Sequence, residues 1–138
     1  MTEVNVNKSI RVSANQAWEA LSSFRGIENY SPIERSVTEG KGAGAKRTCF
    51  MPDGAAIHEV LNFTDDSARE MQYIITEGPF PISEYISNIK VNPLDSENCL
   101  ITWSCSFEST EEVEGEMKNL FKGFYEAIIE NLEGYLKN

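Results

Sequence analysis

The sequence contains a single histidine and three cysteines in 138 residues. His58 has no second imidazole to join it, so a His-based metal site or a His-activated nucleophile has too few parts. Alternation along its strand turns it outward, as an exposed surface histidine. Cys49, Cys99 and Cys105 are odd in number and lack CxxC spacing. They read as reduced, buried thiols in a cytoplasmic protein. Basic residues are also scarce: 12 Lys and Arg against 22 Asp and Glu leave a net charge of −10. A surface so acidic cannot neutralise phosphates, which argues against nucleic acid as a partner, and it is repelled by anionic membranes. No stretch approaches the roughly 18 apolar residues of a membrane span, and Met1 to Val12 lacks the apolar region of an export signal. Internal repeats, low-complexity linkers and HExxH, P-loop, GxGxxG and EF-hand patterns are absent. Gly40-Lys-Gly-Ala-Gly44 is not followed by the helix that a phosphate loop needs. No cofactor and no metal are expected.

What the chain does have is enough length for one domain with a real core, residues 1–138. Its most pronounced pattern is at the end. Val113, Met117, Leu120, Phe121, Phe124, Ile128, Leu132 and Tyr135 recur at steps of three and four with no proline between them. That spacing predicts one helix over about 109–137, a rod of roughly 40 Å with an apolar stripe. Ser109 and Glu112 form a candidate capping box, and Glu111, Glu112, Glu114 and Glu116 suit the positive end of the helix dipole. A rod of this length needs a broad apolar surface to lie on.

The earlier chain supplies it. Val4, Val6, Ser9 or Ile10, and Val12 alternate with polar residues as a first strand. Ser13 caps a short helix over 14–23 with Ala17, Trp18, Leu21 and Phe24 on one face, and Gly26 is placed to end it. Gly26 to Tyr30 predicts one more helical turn, stopped before Pro32. Strand patterns then cover 33–39, 45–51, 55–63, 69–76, 82–91 and 98–107, divided by glycine, proline and aspartate turns such as Pro52-Asp53-Gly54. Links this short join antiparallel neighbours, because parallel strands need long crossovers. The order β-α-α-β6-α predicts an α+β fold: a curved antiparallel sheet of about seven strands around the final helix.

These residues resemble the START-like, helix-grip superfamily, and within it the polyketide cyclase/dehydrase and lipid-transport-like members. The resemblance runs along the whole chain. It is carried by Val12-Ser-Ala14 with Ala17-Trp18, Tyr30-Ser-Pro32, Gly44-Ala-Lys-Arg47, Glu59-Val-Leu61 with Asp65-Asp66, then Tyr73, Pro81, Tyr85, Trp103, Phe107 and Asn131-Leu132. It implies a cavity between sheet and helix that holds a small hydrophobic or aromatic ligand. Superfamily members include lipid carriers, polyketide aromatase/cyclases, plant hormone receptors and chaperone-binding proteins, so the fold indicates a kind of ligand better than an activity. In the hormone receptors a lysine after the short second helix binds the ligand carboxylate. The matching position here is Ser31, and that chemistry does not carry over.

Within this frame Glu59 is the most informative residue. Period-two alternation places Ile57, Glu59, Leu61 and Phe63 on one face of a strand, and a carboxylate among apolar neighbours is costly to bury without a partner. The resemblance carries a pocket-facing glutamate onto Glu59, a candidate acid or base. A purely structural glutamate paired with Arg47 is the plainer reading. Arg47 shares its face with Cys49 and Met51, at the cavity's edge or facing solvent. Tyr73, Ile75, Ile82, Tyr85, Ser87 and Trp103 map onto pocket positions of the family, while ordinary core packing explains the aromatic residues equally. Trp18 is expected in the core. On the final helix, Leu120 and Phe124 belong to the stripe, and the smaller Gly123, Ala127 and Asn131 run beside it as a groove facing the sheet. Met51 to Gly54 and Gly78 to Pro81 fall where the family has loops at the cavity mouth. The functional expectation is a ligand-binding module, monomeric or homodimeric. A cyclase or dehydratase using Glu59 and the tyrosines, and an interaction module with a filled cavity, are the alternatives.

Overall fold

A computed structural model describes residues 1–138. The alternating N-terminal segment forms β1 (Thr2–Ile10), with Val4, Val6 and Ile10 buried and Ser9 exposed. The helix α1 (Ala14–Ser22) follows, its first turn closed by the Ser13 hydroxyl, which accepts the Gln16 amide at 3.2 Å. Its end differs from expectation. Phe24, not Gly26, takes the left-handed conformation that breaks the helix, at φ 59°. Burial of its ring, 1% exposed, offsets the steric cost of that conformation. Gly26 instead opens a 3₁₀ turn, Ile27–Asn29, at φ 73°.

Six strands come next: β2 (Arg35–Glu39), β3 (Lys46–Phe50), β4 (Ala56–Asp65), β5 (Glu70–Glu77), β6 (Ser83–Pro93) and β7 (Cys99–Glu108). Consecutive strands pair antiparallel, as the short turns require, and β1 closes the order β1-β7-β6-β5-β4-β3-β2. Three irregularities interrupt the ladders of this sheet, one of them between His58 and Glu59 where β4 meets β5. The ladder between β4 and β5 slips between Leu61 and Phe63. The extra residue turns Phe63 to the outer face, 39% exposed, although simple alternation puts it inside. The ladder between β6 and β7 slips between Ser83 and Ile86, where Glu84 is left-handed at φ 55°.

The long helix α2 (Glu111–Lys137) packs against this sheet, with no break in its 27 residues. It starts one residue later than the capping box requires. Thr110 is its N-cap, without a side-chain bond, and the Ser109 hydroxyl donates to the Thr110 carbonyl at 3.2 Å. The connection from β7 is two residues long, so Thr110 is where the chain first turns into the helix. The buried face is Met117, Phe121, Tyr125, Ile128, Ile129 and Leu132. Leu120 and Tyr135, expected in the stripe, are 44% and 45% exposed.

Rings hold the helix to the sheet. Trp103 stacks on Tyr125 with centroids 5.3 Å apart, and Phe107 and Tyr85 meet Phe121 at 5.4 and 5.2 Å. Each such pair contributes about 0.5–1.5 kcal/mol beyond the area it buries. Trp18, 7% exposed, packs under α1, and its indole N–H donates to Asp66 at 2.9 Å. The Asp65-Asp66 turn thereby ties α1 to the far end of β4. No helix is long and apolar enough to cross a membrane.

Candidate functional site

Between the sheet and α2 lies a cavity of about 70 Å³. Ile57, Glu59, Tyr73, Ile75 and Tyr85 reach it from the sheet, and Leu120, Phe121, Phe124 and Tyr125 from α2. Ile27, Ile33, Met51 and Phe80 complete it from the 3₁₀ turn and the loops. At about 70 Å³ the enclosed space is small. That is well below the roughly 300–1,000 Å³ usual for ligand pockets, the size implied by the family resemblance. Side chains as large as Phe80, Phe121, Phe124 and Tyr125 take up the difference.

Glu59 is the only lining residue that is not hydrophobic. Arg47 stands opposite it in the ladder of β3 and β4, and its Nε donates to Glu59 Oε1 at 2.6 Å. The Cys49 thiol donates to the same oxygen at 3.6 Å. Only one prong of each ionic group is used in this pair, so Glu59 Oε2 has no protein hydrogen-bond donor. The Arg47 guanidinium lies over the Phe24 ring at 3.9 Å and near Tyr73 at 5.4 Å, so an aromatic face replaces part of its lost hydration. Burial opposes the charge of Arg47, but the neighbouring Glu59 carboxylate prevails and holds it above its ordinary value. Burial pushes the Cys49 thiol far up, and Glu59 pushes it further, so it is no nucleophile.

The tyrosines are donors rather than anions. Burial raises Tyr73, Tyr85 and Tyr125 well above the ordinary phenol value, and the Glu59 charge adds to the effect at Tyr73. The Tyr85 and Tyr125 hydroxyls bond to each other. Trp103 Nε1 donates to Ser87 Oγ at 3.1 Å and to Tyr73 OH at 3.3 Å, and Ser87 donates to the Ser104 carbonyl at 3.0 Å. Every side-chain polar atom that is wholly enclosed has a partner, so the unpartnered Glu59 Oε2 is not fully sealed off.

Among the residues singled out in the sequence, Met51, Ile57, Glu59, Tyr73, Ile75, Tyr85, Leu120 and Phe124 line the cavity. The others do not. Arg47, Cys49, Leu61, Ser87 and Trp103 are buried behind it, 0–5% exposed, because neighbouring rings and the ion pair cover them. Ile82 is half-buried beside the mouth. The groove on α2 is the clearest correction. Gly123 and Asn131 are exposed, Ala127 is half-buried, and a Cβ at Gly123 would meet nothing within 4 Å. The helix is rotated so that Phe121 and Tyr125 face the sheet in their place. Ile27, Ile33 and Tyr125 line the cavity beyond the sequence expectation, while Phe121 and Phe80, expected only in the apolar stripe and the mouth loop, reach into it as well. The i, i+4 series Phe121, Tyr125, Ile129 was the signal available for the helix. His58 is half-buried, with Nδ1 3.3 Å from the Thr48 hydroxyl. No cluster of three potential metal ligands is present.

A seven-stranded antiparallel sheet gripping a long C-terminal helix around a small apolar cavity defines the helix-grip class. Residues 1–137 match the family described as polyketide cyclase/dehydrase and lipid transport, and the chain belongs to that family. No curated protein matches it in sequence. Among solved structures, protein XoxI from Bacillus cereus is 29% identical, with a TM-score of 0.89 over 100% of this chain and 97% of that one. A protein from Bacillus thuringiensis is 28% identical, with a TM-score of 0.87 over 99% of this chain and 100% of that one. Norcoclaurine synthase from Thalictrum flavum, in complex with dopamine and hydroxybenzaldehyde, shares the fold at 17% identity. Its TM-score is 0.76 over 96% of this chain and 84% of that one.

Proposed function

We propose that residues 1–138 form a single ligand-binding domain that takes a small hydrophobic or aromatic molecule, of the lipid or polyketide kind, between the sheet and α2. The observation that carries this reading is a cavity with 12 hydrophobic residues among its 13, and one buried carboxylate reaching into it. Apolar walls supply affinity, and the free Oε2 of Glu59 supplies an orienting acceptor for a ligand hydroxyl or amine. Because the cavity holds only about 70 Å³, a ring-sized ligand enters by displacing the side chains at the mouth. Met51 and Phe80 sit on the two flanking loops, and Leu120 is 44% exposed on α2, so these are the parts with room to move. Norcoclaurine synthase, which shares the fold, is a protein of this shape found in complex with two aromatic molecules, dopamine and hydroxybenzaldehyde. Three free, buried thiols suit a cytoplasmic protein, and the net charge of −10 argues against nucleic acid.

The test is an amide NMR titration with the neutral fluorophore N-phenylnaphthylamine. Saturable binding is expected, with shifts at Ile57, Tyr73, Phe121 and Tyr125, and Ile57→Trp should abolish it by filling the cavity. Shifts confined to the outer surface, or no saturable binding, would sink the reading. The small cavity favours a second reading, an interaction module whose core is already full. Native mass spectrometry of the protein as purified separates the two: a co-purified apolar molecule supports the binder, and its absence together with no probe binding supports the module. A cyclase or dehydratase role predicts that Glu59→Gln removes turnover of a polyketide-like substrate while leaving its affinity nearly intact.

A further inference from the structure

Beside the cavity the sheet comes apart. β5 pairs with β6 from Glu70↔Lys90 to Ile74↔Ile86 and no further, although β5 continues to Glu77 and β6 begins at Ser83. The cause lies in β6. Its ladder with β7 slips between Ser83 and Ile86, and Glu84 is left-handed at φ 55°, so this end of the strand stays with β7 and leaves β5. A left-handed glutamate is a strained choice, and strain of this sort persists where a particular shape is held. The Gly78-Pro79-Phe80-Pro81 turn, tightened by an Ile82 amide to Phe80 carbonyl bond of 2.8 Å, spans the gap.

The gap forms a cleft of about 520 Å³, several times the cavity's volume. Ile75, Phe80 and Tyr85 line both spaces, so the two adjoin, with the Phe80 ring between them packed edge-on against Phe121 at 5.2 Å. The cleft is more polar than the cavity. Six of its 11 lining residues are hydrophobic, but Thr76, Glu77, Ser83 and Glu84 line it too, it contains no Lys, Arg or His, and the facing edges of 75–77 and 83–85 are not paired with each other. Its two glutamates are both exposed and have no salt-bridge partner.

We propose that this cleft is the outer half of the ligand site. It takes the ammonium end of an amphipathic small molecule whose apolar end displaces Phe80 and enters the cavity. Backbone carbonyls of the parted strands and the carboxylates of Glu77 and Glu84 receive the donor end, while an anionic end is repelled. The inference rests on the cavity-binding reading and adds the length and charge of the ligand to it.

Three probes of one shape test it on the full chain: phenylbutylammonium, phenylbutanol and phenylbutyrate, each titrated by amide NMR. The ammonium should bind about tenfold more tightly than the carboxylate, the size expected of two solvent-screened carboxylates. Its shifts should include Thr76, Glu77, Ser83 and Glu84 as well as the cavity. The preference should shrink as salt is added and vanish in the Glu77→Gln/Glu84→Gln variant. Saturable phenylbutanol binding with equal affinity for the two charged probes, or with no shifts in the cleft, overturns the cleft and leaves the cavity standing. No saturable binding by any of the three overturns both.

Discussion

Arg47 and Glu59 face each other across β3 and β4 at 2.6 Å, with side chains only 5% and 9% exposed. The pair crosses the part of the sheet that forms the cavity wall. Removing one partner leaves a buried charge with nothing to answer it. Arg47→Leu should therefore cost about 3–5 kcal/mol in urea unfolding, while Arg47→Leu/Glu59→Leu should recover most of that loss. A double variant as unstable as the single would show that the arginine acts through its packing on Phe24 rather than through its charge.

Gly123 sits mid-helix with open space around it. Gly123→Ala should raise stability by about 1 kcal/mol through helix propensity alone. Binding of N-phenylnaphthylamine should not change. Weaker probe binding would instead place this side of α2 at the ligand.

Tyr85 and Tyr125 satisfy each other's hydroxyls beneath the cavity. Tyr125→Phe leaves the Tyr85 hydroxyl short of a partner and should cost about 1–3 kcal/mol by calorimetry or urea unfolding. Tyr85→Phe/Tyr125→Phe removes both polar atoms and should cost less than the single change. Additive losses would mean that each hydroxyl has an independent partner.

Stability should fall at alkaline pH. Burial raises Cys105 from 9.0 to about 11 and Tyr30 from 10.0 to about 12, so the folded protein keeps protons that the unfolded chain releases. A raised folded value stabilises fully below the unfolded value and is lost as pH climbs through the folded one. The decline should begin near 9.0 and continue towards about 12, with Tyr30→Phe flattening its upper part. Urea midpoints measured across that interval would show it. A flat profile would mean that these groups reach water in the folded state.

The sequence alone determined the elements, their order and the antiparallel pairing, because alternation, helical spacing and short turns are local properties. Ile57 and Glu59 point inward by strand period alone, and Ser13 caps α1 by its side-chain chemistry. The tertiary structure decided what local pattern leaves degenerate. Apolar residues cover so much of α2 that its spacing could not choose between Leu120 with Gly123 and Phe121 with Tyr125; stacking of Trp103 on Tyr125 made that choice. Phe63 left the inner face because one extra residue in the ladder reverses a period-two pattern. The parting of β5 from β6 depends on a bulge at Glu84 held by β7, strand to strand, with no signature in the local sequence. Cavity volume is decided last, by how the rings of Phe80, Phe121, Phe124 and Tyr125 settle between the sheet and the helix.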